Sequence, residues 1–142
     1  MIRRTVLVAA ALALVSGLAS AQPPKLDGAW TAVSAERDGK PAEDVVGNRL
    51  TFAGDAFVIE REGKTIYRGT YKADANAKPA RFDFTHTDGA LKGKRWLGLY
   101  ALEGDTLRTV DNAPDMAKPR PGAFAAGPGS GYVLIVFKRA AR

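Results

Sequence analysis

The 142-residue chain contains no cysteine and a single histidine, His86. The absence of cysteine excludes disulfide bonds, thiolate zinc sites and a cysteine nucleophile. One histidine excludes a metal centre built from several imidazoles. No EF-hand pattern is present, and turn formation and solubility account for the acidic residues Asp105, Asp111 and Asp115. The sequence therefore predicts no bound metal and no cofactor.

Only one long apolar run is present, and it lies near the N-terminus. Arg3 and Arg4 precede it, and the small-residue triplet Ala19-Ser20-Ala21 follows it. A basic start, an apolar middle and such a triplet are typical of a cleaved secretory signal peptide, and the run is short of the ~20 residues that a membrane anchor needs. We predict a signal peptide helix over residues 1–21 and one domain over residues 22–142. The mature protein is then expected to be exported, periplasmic or extracellular, and free of the membrane.

The net positive charge is small once the predicted signal peptide is removed. The mature chain carries 19 basic and 15 acidic side chains, a net charge of +4. The basic residues form short groups, such as Lys92, Lys94 and Arg95, and no dense stripe interleaved with aromatics. Nucleic-acid binding proteins show such a stripe, so we predict no nucleic-acid partner.

Helical periodicity is nearly absent from the mature chain, and short alternating runs take its place. Eight of them have the length and composition of β-strands: residues 30–36, 49–52, 56–61, 64–73, 81–85, 95–102, 106–110 and 132–139. The first half of the fourth run breaks the alternation and is expected to hold a β-bulge. Residues 43–47 could form one helical turn. Residues 112–131, with four prolines and four glycines, are expected to be an irregular loop.

Tight turns between these runs favour antiparallel neighbours, which leaves a sandwich or a closed up-and-down barrel. We favour an all-β, eight-stranded antiparallel barrel, because closure removes exposed strand edges. The apolar face of each strand then brings nine aromatic side chains inside: Trp30, Phe52, Phe57, Tyr71, Phe82, Phe84, Trp96, Tyr100 and Phe137. Ala32, Ser34, Gly69 and Gly98 are expected to face inward as small residues. Such a barrel is either filled by side chains or holds one small ligand, and the sequence leaves both open.

The first strand opens on Gly28-Ala29-Trp30, which resembles the G-x-W signature of lipocalins. The resemblance implies that Trp30 closes one end of the barrel and that a basic residue of the last strand packs on its ring. Arg139 has the inward parity required for that partner, and a guanidinium over an indole is a favourable cation–π contact. Gly28, Trp30 and Arg139 are therefore the predicted closure residues.

Beyond that signature, the chain resembles a bacterial family of lipocalin-like domains of unknown function, known chiefly from planctomycetes. The resemblance covers residues 25–139. It rests on Leu26-Asp27-Gly28-Ala29-Trp30, Asp38-Gly39-Lys40-Pro41, Leu50-Thr51-Phe52, Gly69-Thr70-Tyr71-Lys72, Thr87-Asp88-Gly89, Gly93-Lys94, Leu97-Gly98-Leu99-Tyr100, Gly104-Asp105-Thr106-Leu107 and Val136-Phe137-Lys138-Arg139. It implies a lipocalin-like barrel and brings no activity, substrate or catalytic residue. His86 and the proline-rich loop depart from the family pattern.

Three functions follow as hypotheses. The first is a non-enzymatic barrel that binds a small apolar ligand, and the candidate ligand-binding residues are Phe57, Tyr71, Phe82, Phe84, Trp96 and Tyr100. The alternative is a protein-interaction or envelope-associated module that uses the 112–130 loop and the outward strand faces, with unknown partners. An enzyme comes third: His86, between Asp83 and Asp88, could be a general base. We predict instead a surface histidine at a strand end, and no catalytic residue.

Overall fold

The structure, a computed structural model, describes residues 26–140 of the chain. The predicted signal peptide, residues 1–21, lies outside the described residues. Nine strands follow one another: β1 Gly28–Arg37, β2 Lys40–Pro41, β3 Arg49–Ala53, β4 Ala56–Arg61, β5 Lys64–Asp74, β6 Ala80–His86, β7 Arg95–Glu103, β8 Thr106–Asp111 and β9 Val133–Arg139. A 3₁₀ turn, Gly89–Leu91, lies between β6 and β7.

These strands form one antiparallel sheet that closes on itself. β1 pairs with β3, the chain then continues strand by strand to β9, and β9 pairs back onto β1. The two-residue β2 pairs only with the last two residues of β1, so eight strands make the barrel. The prediction of an all-β, eight-stranded antiparallel barrel is confirmed. Among residues 26–140 there is no helix with the length and apolar character needed to cross a membrane.

Two hairpin turns fix the strand register. At Asp38-Gly39 and at Glu62-Gly63, both residues have positive φ angles, between 50° and 79°. Two successive positive φ values define the type I′ turn, whose twist matches that of antiparallel strands and which favours glycine at its second position. The predicted turns after the first and third runs are therefore formed by residue types suited to them.

β-Bulges occur in β5 and in β1. The register of β5 against β4 shifts so that Ile66 has no partner, which confirms the predicted bulge. In β1 the shift falls at Val33 and reverses the alternation after it: Ser34 lies opposite Val136 on the outer face and is exposed. The expectation that Ser34 faces inward was wrong, because one extra residue moves every later side chain to the opposite face.

Aromatic rings fill the middle of the barrel. Phe57 stacks on Phe84 at a centroid distance of 4.3 Å, and Phe82 lies 4.7 Å from Phe84. Phe52 and Tyr71 add a tilted pair at 4.6 Å. These contacts make a continuous packed core, so this part of the interior is filled.

Trp30 closes one end of the barrel. Its side chain is fully buried, and its Nε1 donates a 2.9 Å hydrogen bond to the carbonyl oxygen of Leu26. The guanidinium carbon of Arg139 lies 4.2 Å from the centroid of the Trp30 ring, and Arg139 Nε lies 3.4 Å from Asp105 Oδ1. Gly28 has a φ of 117°, and a Cβ there would lie 3.2 Å from Arg139 Nη1. The Gly28 position therefore suits only glycine while Arg139 covers Trp30.

Arg139→Gln is expected to lower the free energy of unfolding by about 1–2 kcal/mol, because it removes the cation from the Trp30 ring. Urea denaturation followed by tryptophan fluorescence measures the change. Arg108→Gln is the matched control, since Arg108 is exposed on β8 and carries the same charge. An equal effect of the two substitutions would contradict the stacking argument.

The long loop between β8 and β9 packs on the outside of the barrel. Leu99 and Val110 face outward from a directly paired position on β7 and β8 and are nevertheless buried, and Leu99 borders a depression together with Arg120 and Pro121 of the loop. Arg120 holds the loop in place by donating hydrogen bonds of 2.8 and 2.9 Å to the carbonyl oxygens of Phe82 and Gly98, and it pairs with Asp83. The loop is irregular, as predicted, and Arg120 fixes it against the outer face of β6 and β7.

Candidate ligand site at the open end of the barrel

A cavity of about 330 Å³ occupies the end of the barrel opposite Trp30. It reaches Arg37 at the end of β1, Ile59 on β4, Trp96 at the start of β7, and Asp111 and Val133 where β8 and β9 meet the long loop. The buried Trp30 closes one end of the barrel, and the other end is left partly unfilled. Ligand pockets of small β-barrels lie in such mouths.

Apolar residues outnumber polar ones in the cavity wall. The larger aliphatic and aromatic members are Val45, Ile59, Ile66, Tyr67, Leu91, Trp96, Met116, Val133 and Ile135. Ile66 and Tyr67 are also among the large apolar side chains exposed to solvent. An exposed apolar rim that leads into an apolar cavity suits a ligand with a hydrophobic body.

An ion pair lies in the rim of the cavity. Arg37 donates two hydrogen bonds to the Asp44 carboxylate, at 3.1 and 2.9 Å. The same hydrogen bonds raise the pKa of Arg37 and lower the pKa of Asp44. Next to this pair, Asn48 accepts a 2.9 Å hydrogen bond from Arg61. The charges of Arg37 and Asp44 at the rim are therefore paired with each other.

Asp111 places a buried carboxyl group in the cavity wall. Only 5% of its surface is exposed, and its Oδ1 accepts a 2.7 Å hydrogen bond from the backbone N–H of Ala113. Burial raises the pKa of Asp111 to about 7, although the Ala113 hydrogen bond opposes that rise. In the described part of the chain it forms no salt bridge. The solubility role expected for Asp111 was wrong, because the inward alternation of Leu107 and Thr109 continues to it, whereas the hydrogen bond from Ala113 fits the expected turn role.

His86 lies beside the cavity and is buried. It is 1% exposed, and its ring centroid lies 4.2 Å from that of Trp96, 5.5 Å from Phe57 and 5.6 Å from Tyr67. The predicted surface histidine was wrong: β6 alternates inward at 82 and 84, and His86 is the next inward position. Both of its nitrogens and Trp96 Nε1 lack hydrogen-bond partners within residues 26–140. Burial lowers the pKa of His86.

Neither nearby aspartate orients His86. Asp83 pairs with Arg120 on the outer face, and Asp88 Oδ2 lies 3.2 Å from Arg68 Nε. The carboxylate-assisted general base that the sequence suggested is therefore not assembled. No group of three or more histidine and acidic side chains is positioned to hold a metal ion in the part of the chain that the structure describes.

The structure brings only one of the six candidate ligand-binding residues to the cavity. Trp96 lines it. Phe57, Phe82 and Phe84 lie in the packed aromatic core, and Tyr71 packs against it. Tyr100 borders a separate depression of about 160 Å³ beside the loop between β5 and β6. Tyr67 and Asp111, which were not among the predicted ligand-binding residues, line the cavity instead.

The pH dependence of stability tests the burial of His86. Below an ordinary pKa of about 6.5 the unfolded chain gains a proton that the folded chain binds only at lower pH, so the contribution of neutral His86 to stability is lost as the pH falls. His86→Leu removes this loss, and its free energy of unfolding relative to the wild type is expected to rise by up to about 1.4 kcal/mol for each pH unit below 6.5. Because His86 is the sole histidine, NMR of its imidazole also reports the pKa directly. A midpoint at or above 6.5 would contradict the prediction.

Comparison of the chain with protein-family models, curated proteins and solved structures finds no match. The barrel is therefore established by the structure itself. The resemblance to lipocalin-like domains stays a prediction, and the function is argued from the cavity.

Proposed function

We propose that this protein is an exported, non-enzymatic, lipocalin-like barrel that binds a small, largely apolar molecule in its open-end cavity. The observation that carries the proposal is the contrast between the two halves of the interior. Aromatic rings fill one half, whereas the other holds an apolar-walled space of about 330 Å³. A volume of this size is at the lower end of those that hold small ligands.

The contrast matters because a barrel of this size can be stable with a filled interior. Leaving apolar wall unpacked forfeits dispersion and burial energy, and a bound molecule restores both. The exposed side chains Ile66 and Tyr67 at the rim would be covered at the same time.

Filling the cavity tests the proposal. Val45→Phe places a ring in the cavity wall and is expected to weaken binding of the neutral fluorescent probe N-phenyl-1-naphthylamine at least tenfold. Val33→Phe, on the exposed bulge of β1, is the matched control and is expected to bind as the wild type does. Probe binding that is absent in the wild type, or equal in both variants, would overturn the proposal. Native mass spectrometry of protein from its own host can then identify the resident molecule.

The alternative, a protein-interaction module, is supported by the exposed apolar side chains Val46, Ile66 and Tyr67. Arg61 bridges the turn that carries Val46 to β4, so these side chains belong to the open end of the barrel. A partner protein whose binding is lost in Ile66→Ser, with probe binding unchanged, would favour this function. The small-molecule proposal predicts that the same substitution weakens binding of the probe.

A further inference from the structure

We infer that the ligand is an amphipathic amine, whose ammonium group binds the carboxylate of Asp111 and whose apolar part packs against Tyr67, Trp96 and the aliphatic wall. The inference rests on the proposed function, because it names the ligand class of the same cavity. Its basis is the chemistry of the wall: one buried carboxyl group beside mostly apolar lining residues, with the paired Arg37 and Asp44 at the rim.

Among the residues that the structure describes, the cavity offers a ligand one charged group that is not already paired. The charged residues of its lining are Arg37, Asp44 and Asp111. Arg37 and Asp44 bind each other through two hydrogen bonds, whereas Asp111 receives one, from the Ala113 backbone. A buried carboxylate without a cation is unfavourable, and a hydrogen-bonded ammonium group relieves that cost. The wall is therefore complementary to a cation.

Aromatic side chains support the same ligand class. Tyr67 and Trp96 both line the cavity and lie edge to face, with their centroids 4.9 Å apart. The faces of tyrosine and tryptophan attract ammonium groups and also bury hydrocarbon. A molecule with an amine at one end and an apolar body can use both properties, whereas a carboxylate would be repelled by Asp111.

Binding should depend on pH in a defined direction. With its pKa raised to about 7, Asp111 ionises between about pH 6 and 8, while an alkylamine with a pKa near 10 stays protonated. Binding of the amine therefore strengthens as the pH rises through 7. The other groups near this end do not reverse the trend: Arg37 and Asp44 stay paired at the rim, and burial lowers the pKa of His86, which favours its neutral form.

Calorimetric titration of the full chain with 2-phenylethylamine, 2-phenylethanol and phenylacetate at pH 6.0 and 8.5 tests the inference. At pH 8.5 the amine is expected to bind at least tenfold more tightly than the alcohol, and phenylacetate more weakly than both. Asp111→Asn retains an acceptor for the Ala113 N–H and is expected to erase the preference for the amine. Asp55→Asn, in the exposed turn between β3 and β4, makes the same charge change and is expected to preserve the preference for the amine.

The outcomes separate this inference from the proposal on which it rests. If the amine and the alcohol bind equally, or if Asp111→Asn keeps the preference, the amine inference fails while a binding cavity stands. A preference for phenylacetate has the same consequence. If none of the three ligands nor N-phenyl-1-naphthylamine binds, the proposed function itself fails.

Discussion

Replacing Gly98 with alanine is expected to prevent the barrel from forming its native core. A Cβ at this position would overlap the ring of Phe82 and would lie 2.5 Å from the carbonyl oxygen of Val110. The ring cannot move away, because it is buried and packs on Phe84 at 4.7 Å. The Val110 oxygen belongs to the backbone of β8, so relief would require β7 and β8 to separate.

Overpacking by a single methyl group costs about 1–3 kcal/mol where side chains can adjust, and here a backbone atom blocks the adjustment. We therefore expect Gly98→Ala to lower the free energy of unfolding by at least about 3 kcal/mol. Gly127→Ala is the control, because a Cβ there meets nothing within 4 Å. Denaturant titration and near-ultraviolet circular dichroism measure both. A Gly98→Ala protein as stable as Gly127→Ala would show that the ring of Phe82 does not occupy the space above Gly98.

Asp111→Asn is expected to stabilise the unliganded protein strongly above pH 7. The folded chain holds the Asp111 proton up to a pKa of about 7, whereas the unfolded chain releases it near 3.8. The folded state therefore binds more protons between these values, and stability falls as the pH rises from about 4 to 7 and then levels off. At 1.36 kcal/mol for each pKa unit, the ionised carboxylate costs at most about 4 kcal/mol.

Asparagine has the same shape and keeps an acceptor for the Ala113 N–H, so the substitution removes the charge and little else. The stabilisation is expected to approach that limit at pH 8 and to vanish near pH 4. Asp115→Asn is the matched control, since Asp115 also accepts a hydrogen bond from a backbone N–H two residues on but is exposed. Thermal unfolding of the three proteins across this pH range provides the measurement. A stabilisation that is constant with pH would contradict the assignment of a buried, titrating carboxyl group.

Strand order was predictable because period-two alternation and short turns leave few topologies. All eight predicted strands are present, and Trp30 and Arg139 meet as their parity indicated. The failures occur where alternation alone is insufficient. The Val33 bulge moved Ser34 outward, and an alternation counted through a bulge assigns every later residue to the wrong face.

The candidate site was harder to predict for two reasons. Polar residues at inward positions, His86 and Asp111, were assigned to the surface because most polar side chains lie there. Tyr67 adjoins the Ile66 bulge, where the alternation pattern is broken. Which aromatic rings fill the core and which border a cavity depends on their packing in three dimensions. This packing depends on all the inward-facing side chains together, so the spacing of residues within one strand does not predict it.

The pairing of β1 with β9 determines where the polypeptide enters and leaves the barrel. The amide of Ala140 donates a 2.8 Å hydrogen bond to the carbonyl oxygen of Ala29, so both ends of the described chain lie beside Trp30. A fusion partner or surface tether attached before residue 26 or after residue 140 would thus hold the barrel by its base, with the cavity facing away into solvent. The same proximity makes the fold suited to circular permutation, with a short linker joining the ends and a new start in the exposed turn at Gly54-Asp55. Such a permuted protein would keep every strand of the barrel, including the walls of the cavity.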